Sequence, residues 1–290
     1  MNPLETVKLS ALMERGSGSR ELKIGLIDGP VFMQHHDLEG EHIRALTENG
    51  NATCSRANST ACLHGTFVAG ILSAKRTSPA PAICPGCTLL VRPIFSEGPS
   101  GEQMPSATPQ ELAAAILECI DAGARIINLS LALAQPSTKG EQALEEALNY
   151  AVQRSVIVVA AAGNQGTIGT SAITRHPWVI PVAACDFRGR PLNESNFGSS
   201  VGKRGLSAPG DAIVSLSREG HPLTLGGTSV AVPFVTGAVA LLWSEFPTAT
   251  AAQIRLTISH GTGARRASVV PPLLDASAAH QSLMSAKVRR

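Results

Sequence analysis

Five short apolar runs, each followed by a stretch with helical character or a loop leading to the next run, limit most strongly what this chain can fold into. The runs are Leu22–Ile27, Thr88–Phe95, Arg125–Leu129, Val156–Ala160 and Trp178–Ala183. Continuous apolar runs of this length, with little polar alternation, read as strands covered on both faces. The clearest helix between them is Pro109–Ala122, with Thr108 at the N-cap position, proline at its first position and Gly123 at its end. His64–Ala74, Gly140–Gln153, Ser229–Phe246 and Ala251–Ser259 also read as helices, and residues 40–62 as polar loop. This alternation predicts an α/β fold: a mostly parallel central sheet with helices on both faces, three layers in all. The 290 residues suffice for one large domain with a sizeable core. Its expected bounds are 21–265, with a flexible lead-in over 1–20 and a C-terminal extension over 266–290 that is helical or disordered.

Charge excludes some functions. With 24 Lys+Arg against 22 Asp+Glu, no basic stripe suited to nucleic acid stands out, beyond the short tail Lys287, Arg289, Arg290. No apolar stretch approaches the roughly 18–20 residues that span a bilayer, so no membrane partner is expected. The first twenty residues are interrupted by Glu5, Lys8, Glu14 and Arg15, unlike a secretory signal, which makes a cytoplasmic location the expectation. Glu39, Glu41 and Glu48 are scattered and form no calcium loop, so neither metal nor cofactor is expected. Cys54, Cys62 and the pair in Cys84-Pro-Gly-Cys87 remain open between free thiols, disulfides and a metal site.

Three segments carry chemistry-bearing residues. Asp28 ends the first apolar run and is followed by Gly29-Pro30, which places a carboxylate at the carboxyl edge of the sheet, where open α/β sheets build their sites. His64 opens the segment His64-Gly-Thr-Phe-Val-Ala-Gly70; at a helix N-terminus the dipole disfavours its cation and keeps a neutral imidazole available. Ser229, in Gly226-Gly-Thr-Ser-Val-Ala-Val-Pro233, stands at the start of a long apolar helix, beside backbone N–H groups that favour negative charge on a nearby oxygen. Taken singly, each segment also reads as a turn or a helix cap.

Together, in the order Asp, His, Ser, these blocks resemble the signature segments of subtilisin-like serine proteases, and Ala160-Ala-Ala-Gly-Asn164 resembles a fourth. The resemblance covers roughly residues 22–260. It implies a catalytic triad of Asp28, His64 and Ser229, and an oxyanion-hole side chain in Asn164. It further implies a peptide or protein substrate bound as an extra strand between the segments holding Ser130, Leu131 and Ala132 and those holding Ala161, Ala162 and Gly163. Where the family usually has Ser-x-Gly-Gly, this chain has Ser130-Leu-Ala-Leu133, which should crowd the substrate channel and favour selective cleavage.

Within the family, Asp28-Gly-Pro30 and Ala82-Ile-Cys-Pro-Gly-Cys87 leading to Val91-Arg-Pro-Ile-Phe95 resemble the cyanobactin maturation proteases, which process ribosomally made precursor peptides. The macrocyclising type carries a helical insertion near the catalytic histidine. Only 35 residues lie between Asp28 and His64, so the leader-cutting type is the better match. Two alternatives stay open: a macrocyclase or transpeptidase using the same acyl-enzyme, and a catalytically silent peptide-binding module.

Overall fold

A computed structural model of the chain describes residues 2–40, 42–46, 53–56, 59–97, 107–131, 141–218, 220–259 and 268–288. The strands are β1 (Lys23–Asp28), β2 (Ile43–Ala45), β3 (Thr88–Pro93), β4 (Ile126–Leu129), β5 (Ile157–Ala161), β6 (Ile180–Cys185), β7 (Leu206–Pro209), β8 (Ile213–Ser215) and β9 (Leu223–Leu225). The helices are α1 (Pro3–Thr6), α2 (Ser10–Arg15), α3 (Thr60–Ser73), α4 (Pro109–Asp121), α5 (Glu141–Gln153), α6 (Ala172–Arg175), α7 (Ser199–Arg204), α8 (Thr228–Glu245), α9 (Ala251–Ser259) and α10 (Ala276–Val288). Seven strands form one parallel sheet in the order β2-β3-β1-β4-β5-β6-β7, and β8 and β9 form a small antiparallel pair.

Strand residues alternate between two cores. Ile24, Leu26, Leu89, Val91, Val159 and Val182 face α3 and α8, whereas Ile27, Leu90, Ile127, Val158 and Ala160 face α4 and α5. Both faces are therefore apolar, which is why the strands read as continuous hydrophobic runs. Gly25 has no side chain because a Cβ there would lie 2.9 Å from Cys119 of α4. Thr108 and Glu111 cap α4 reciprocally, and Gly123 beyond it takes φ +86°, as the sequence signals for that helix require.

The structure corrects several boundaries. The helix expected from His64 starts at Thr60 with Ser59 as its cap, so His64 sits in the second turn and not at the N-terminus. The segment 40–62, read as loop, contributes edge strand β2. Residues 1–20, read as a flexible lead-in, hold α1 and α2 and bury Val7, Leu9 and Leu12 in the main core; two helices this short leave no periodic signal. The expected C-terminal extension is likewise packed. Pro272 O accepts from Ser207 N, and Leu274 N donates to Ser207 O, along the outer edge of β7, after which α10 buries Ala276, Ala279 and Leu283. Both ends meet at the C-terminus of α8, where Glu245 accepts from Arg15 and pairs with His280 at 3.0 Å.

Among the described residues, one helix is long and apolar enough to cross a membrane, α8, against the expectation of no such run. It is 83% buried and serves as the central core helix.

Candidate active site

The order of strands in the sheet reverses around β1, and Asp28 is its last residue. The carboxylate is fully buried; Oδ1 accepts from Gly29 N at 2.6 Å, and Oδ2 has no partner among the described residues. Helix α3 reaches Asp28 through a backbone-to-backbone contact that only glycine permits. A Cβ on Gly29 would lie 2.0 Å from Ala61 O, and one on Gly65 2.4 Å from Gly29 O and 2.5 Å from Pro30 O. The glycine after Asp28 and the glycine after His64 are thus two sides of one contact. Gly65→Ala should lower stability by about 1–3 kcal/mol through overpacking against backbone that cannot yield. It should also lower turnover, because the elements it pushes apart carry Asp28 and His64; thermal melting and steady-state kinetics on one preparation check both.

His64 Nδ1 lies 2.7 Å from Asp28 Oδ1, and Nε2 lies 3.0 Å from Ser229 Oγ. Burial disfavours the imidazolium, but the charge of Asp28 and its hydrogen bond outweigh burial and raise the His64 pKa above its ordinary value near 6.5. The expectation of a dipole-depressed histidine is reversed, because the ring belongs to the second turn and faces a carboxylate. A base works only when neutral, so kcat/KM should rise with pH through an inflection above 6.5 and fall away on the acid side. A pH–rate profile on the free enzyme checks this; an acid limb with its midpoint below about 6 would contradict it.

Ser229 occupies the first turn of α8, after Gly227 at φ +112°. Its own N–H, being in the first turn, has no i−4 acceptor within the helix. Pro233, four residues on, has no N–H to give the Ser229 carbonyl, and that carbonyl too is without its usual helical partner. Asn164 follows β5 after Ala162 and Gly163. Its Oδ1 accepts from Thr228 N at 2.8 Å and Thr228 Oγ1 at 2.9 Å, which leaves Nδ2 as the half of the amide not engaged by Thr228. That nitrogen abuts the residue two before Ser229, since a Cβ on Gly227 would lie 3.0 Å from it. Thr228 also accepts from Gly163 N at 3.2 Å, so one fully buried threonine joins the oxyanion segment to the serine helix. Sequence reasoning gives Thr228 no role; its position between two site segments is the available signal.

The expected substrate segments leave adjacent strands, with Leu129 paired to Ala160. Ser130, Leu131, Ala161 and Ala162 are buried, and Gly163 has φ +105°. The Ser130 hydroxyl is engaged inward, accepting from Asn128 Nδ2 at 2.8 Å, while Asn128 Oδ1 accepts from Thr236 of α8 at 2.8 Å. Ala132 lies outside the described residues.

Cys54 and Cys62 form a disulfide, which decides between the alternatives for that pair and ties residue 54 to α3 two residues before His64. Cys84 and Cys87 are buried free thiols on a turn in which Cys87 N donates to Cys84 O. The hydrogen bond between the two thiols, with burial, pushes the Cys84 pKa well up, and the same bond lowers that of Cys87. Away from the triad, His35, His36 and Asp37 bring three potential ligand atoms within 4.8 Å of one another. His35 Nδ1, however, already accepts from Asp37 N at 3.1 Å, and His36 Nε2 is paired with the Asp37 carboxylate at 3.1 Å.

Comparison with known proteins agrees with this geometry. The model of the subtilase family, Peptidase_S8, matches residues 19–278. A thermophilic serine proteinase of Bacillus sp. (strain AK1) is 35% identical over 79% of this chain, and the chain spans about half, 53%, of that relative's length. Among solved structures, a serine-to-alanine mutant of the protease domain of PatA superposes with TM-score 0.83 at 31% identity, covering 93% of this chain and 98% of that one. The prenylagaramide maturation protease PagA superposes with TM-score 0.82 at 26% identity, covering 95% and 98%.

Proposed function

Because the chain belongs to the subtilase family, we propose that it is a serine endopeptidase that cuts a restricted set of peptides through an acyl-enzyme. The observation that carries this is the continuous relay Asp28 Oδ1–His64 Nδ1 and His64 Nε2–Ser229 Oγ, at 2.7 and 3.0 Å. In it, Ser229 Oγ attacks the scissile carbonyl while His64 Nε2 takes the hydroxyl proton, and His64 then passes that proton to the leaving amine. Asp28 holds the tautomer in which Nδ1 carries hydrogen and stabilises the imidazolium as it forms. Negative charge on the carbonyl oxygen is met by Asn164 Nδ2 and the Ser229 N–H, both fixed before the substrate arrives. The substrate lies as an extended strand against the backbone that follows β4 and β5.

The likeness to PatA and to the maturation protease PagA supports a ribosomal precursor peptide as substrate, cut to release its leader. The short spacing between Asp28 and His64 supports hydrolysis over macrocyclisation. A cytoplasmic location belongs to the same proposal. The test is intact mass after treatment with a fluorophosphonate. One adduct on wild type and none on Ser229→Ala is the expected result; a folded wild type that takes no adduct overturns the reading in favour of a silent peptide-binding module. With leader–core peptides, products should gain one water per cut, whereas cyclised cores would favour the macrocyclase. Ready digestion of casein would sink the claim of selectivity.

A further inference from the structure

The segment that carries Asn164 has no secondary structure of its own, yet the amide must stay aimed at one point. Thr228 holds its side chain and, through Gly163 N, the backbone before it, but nothing after it. The backbone on both sides of Asn164 is fixed by another residue, Asn196, which lies 32 positions downstream and touches neither Ser229 nor His64 in any hydrogen bond among the described residues. Asn196 N donates to Gly163 O at 2.9 Å, just before Asn164. Its Oδ1 accepts from Gln165 N at 3.0 Å, just after Asn164, and from Thr167 N and Thr167 Oγ1, each at 3.1 Å. Its Nδ2 donates to Gln165 Oε1 at 2.5 Å.

The brace is itself anchored. The neighbouring Ser195 is fully buried, and its Oγ accepts from Ala184 N of β6 at 3.0 Å. Phe197 N donates to Thr167 O and Gly169 N to Phe197 O, which continues the ladder away from the site. The fit is close enough to exclude a side chain at Gly163, where a Cβ would lie 2.3 Å from Asn196 Nδ2.

We infer that Asn196 is a positioning residue for oxyanion stabilisation: it transmits the rigidity of β6 to the backbone flanking Asn164, so that Nδ2 is held where charge develops. The inference rests on the proposed protease reading and deepens it. An asparagine fits this place because one amide oxygen collects three donors while the nitrogen of the same group returns to Gln165. Without the oxygen, two backbone N–H groups lose their acceptor and the Gly163–Thr167 loop gains freedom. Misplacement of a preorganised donor acts on kcat, because the donor is needed most in the transition state.

The test is a double-mutant cycle on the full chain, with a peptide substrate that wild type cleaves. Asn196→Ala should lower kcat about tenfold with little change in KM, a smaller loss than removing the donor altogether. In an Asn164→Ala background the same change should cost less than about twofold, since the group it positions is gone. Asn196→Asp, which keeps the acceptor, should recover most of the loss. Equal losses in both backgrounds, or a loss confined to KM, overturn the inference and leave Asn196 a merely structural residue. If Asn196→Ala does not fold, as judged by its melting curve, Asn196→Ser takes its place in the cycle with the same expectations. A wild type without Ser229-dependent turnover would instead defeat the protease reading, an outcome distinct from failure of the brace.

Discussion

Ser229→Ala should remove nearly all turnover, lowering kcat by about 10⁶ while leaving the fold and peptide affinity intact. That scale is the one known for subtilisin, a member of the same family, and is carried over from it to this chain. What the structure adds is the reason the loss should not spread: Ser229 is half-buried at the first turn of α8, and its hydroxyl bonds only to His64 among the described residues. His64→Ala should cost about as much as Ser229→Ala, and the pair together hardly more than either, because the relay acts as one unit. A residual rate well above background in all three variants is expected from Asn164 and the bound strand alone. Burst kinetics with an activated ester, or intact-mass detection of the acyl-enzyme, checks the assignment. Full additivity of the two losses would contradict it.

Asp28→Asn should have the next-largest effect after loss of Ser229 or His64, lowering kcat by about 10⁴ with the geometry preserved. Asp28 Oδ1 already takes two donors, Gly29 N and His64 Nδ1. A neutral amide there satisfies the backbone donor but gives up the charge that stabilises the imidazolium, and an amide turned to offer its N–H selects the wrong tautomer. The change carries a second signature. With the charge of Asp28 gone, only burial still acts strongly on His64, and burial lowers its pKa. The acid limb of the pH–rate profile should therefore move to lower pH in Asp28→Asn, while kcat falls at every pH. Loss of rate without movement of the limb would mean that Asp28 orients the ring without raising its pKa.

Much of the fold and site is legible in the sequence because the relevant signals are local. The strand at Leu22–Ile27 announces itself by apolar continuity, and α4 by its cap and its closing glycine. Asp28, His64, Ser229 and Asn164 stand in glycine-bearing segments whose glycines prove to be points of close approach, to backbone at Gly29 and Gly65 and to side chains at Gly163 and Gly227. What the sequence hides is carried by contacts between distant residues. The true start of α3 leaves no trace because Thr60–Leu63 carries a disulfide and a buried alanine but no apolar repeat, and that hidden turn reverses the reasoning about His64. Thr228 and Asn196 look like ordinary cap and loop residues, and their importance lies in partners 64 and about 30 residues away. α1 and α2 are too short for periodicity; the buried Val7, Leu9 and Leu12 show that they belong to the body of the domain.

The distance along the chain between the reacting groups has a consequence in time. His64 and Ser229 are 165 residues apart, and the strands of the main sheet between them pair only in parallel, each through a crossover. Contacts of that range form late, after the cost of closing long loops has been met. Ser229 cannot reach His64 until α8 has docked against strands contributed by most of the chain. A growing or partly folded molecule thus holds every chemical group of a protease and none of its reactivity. The Ser229–His64 relay is complete only once these long-range contacts have formed.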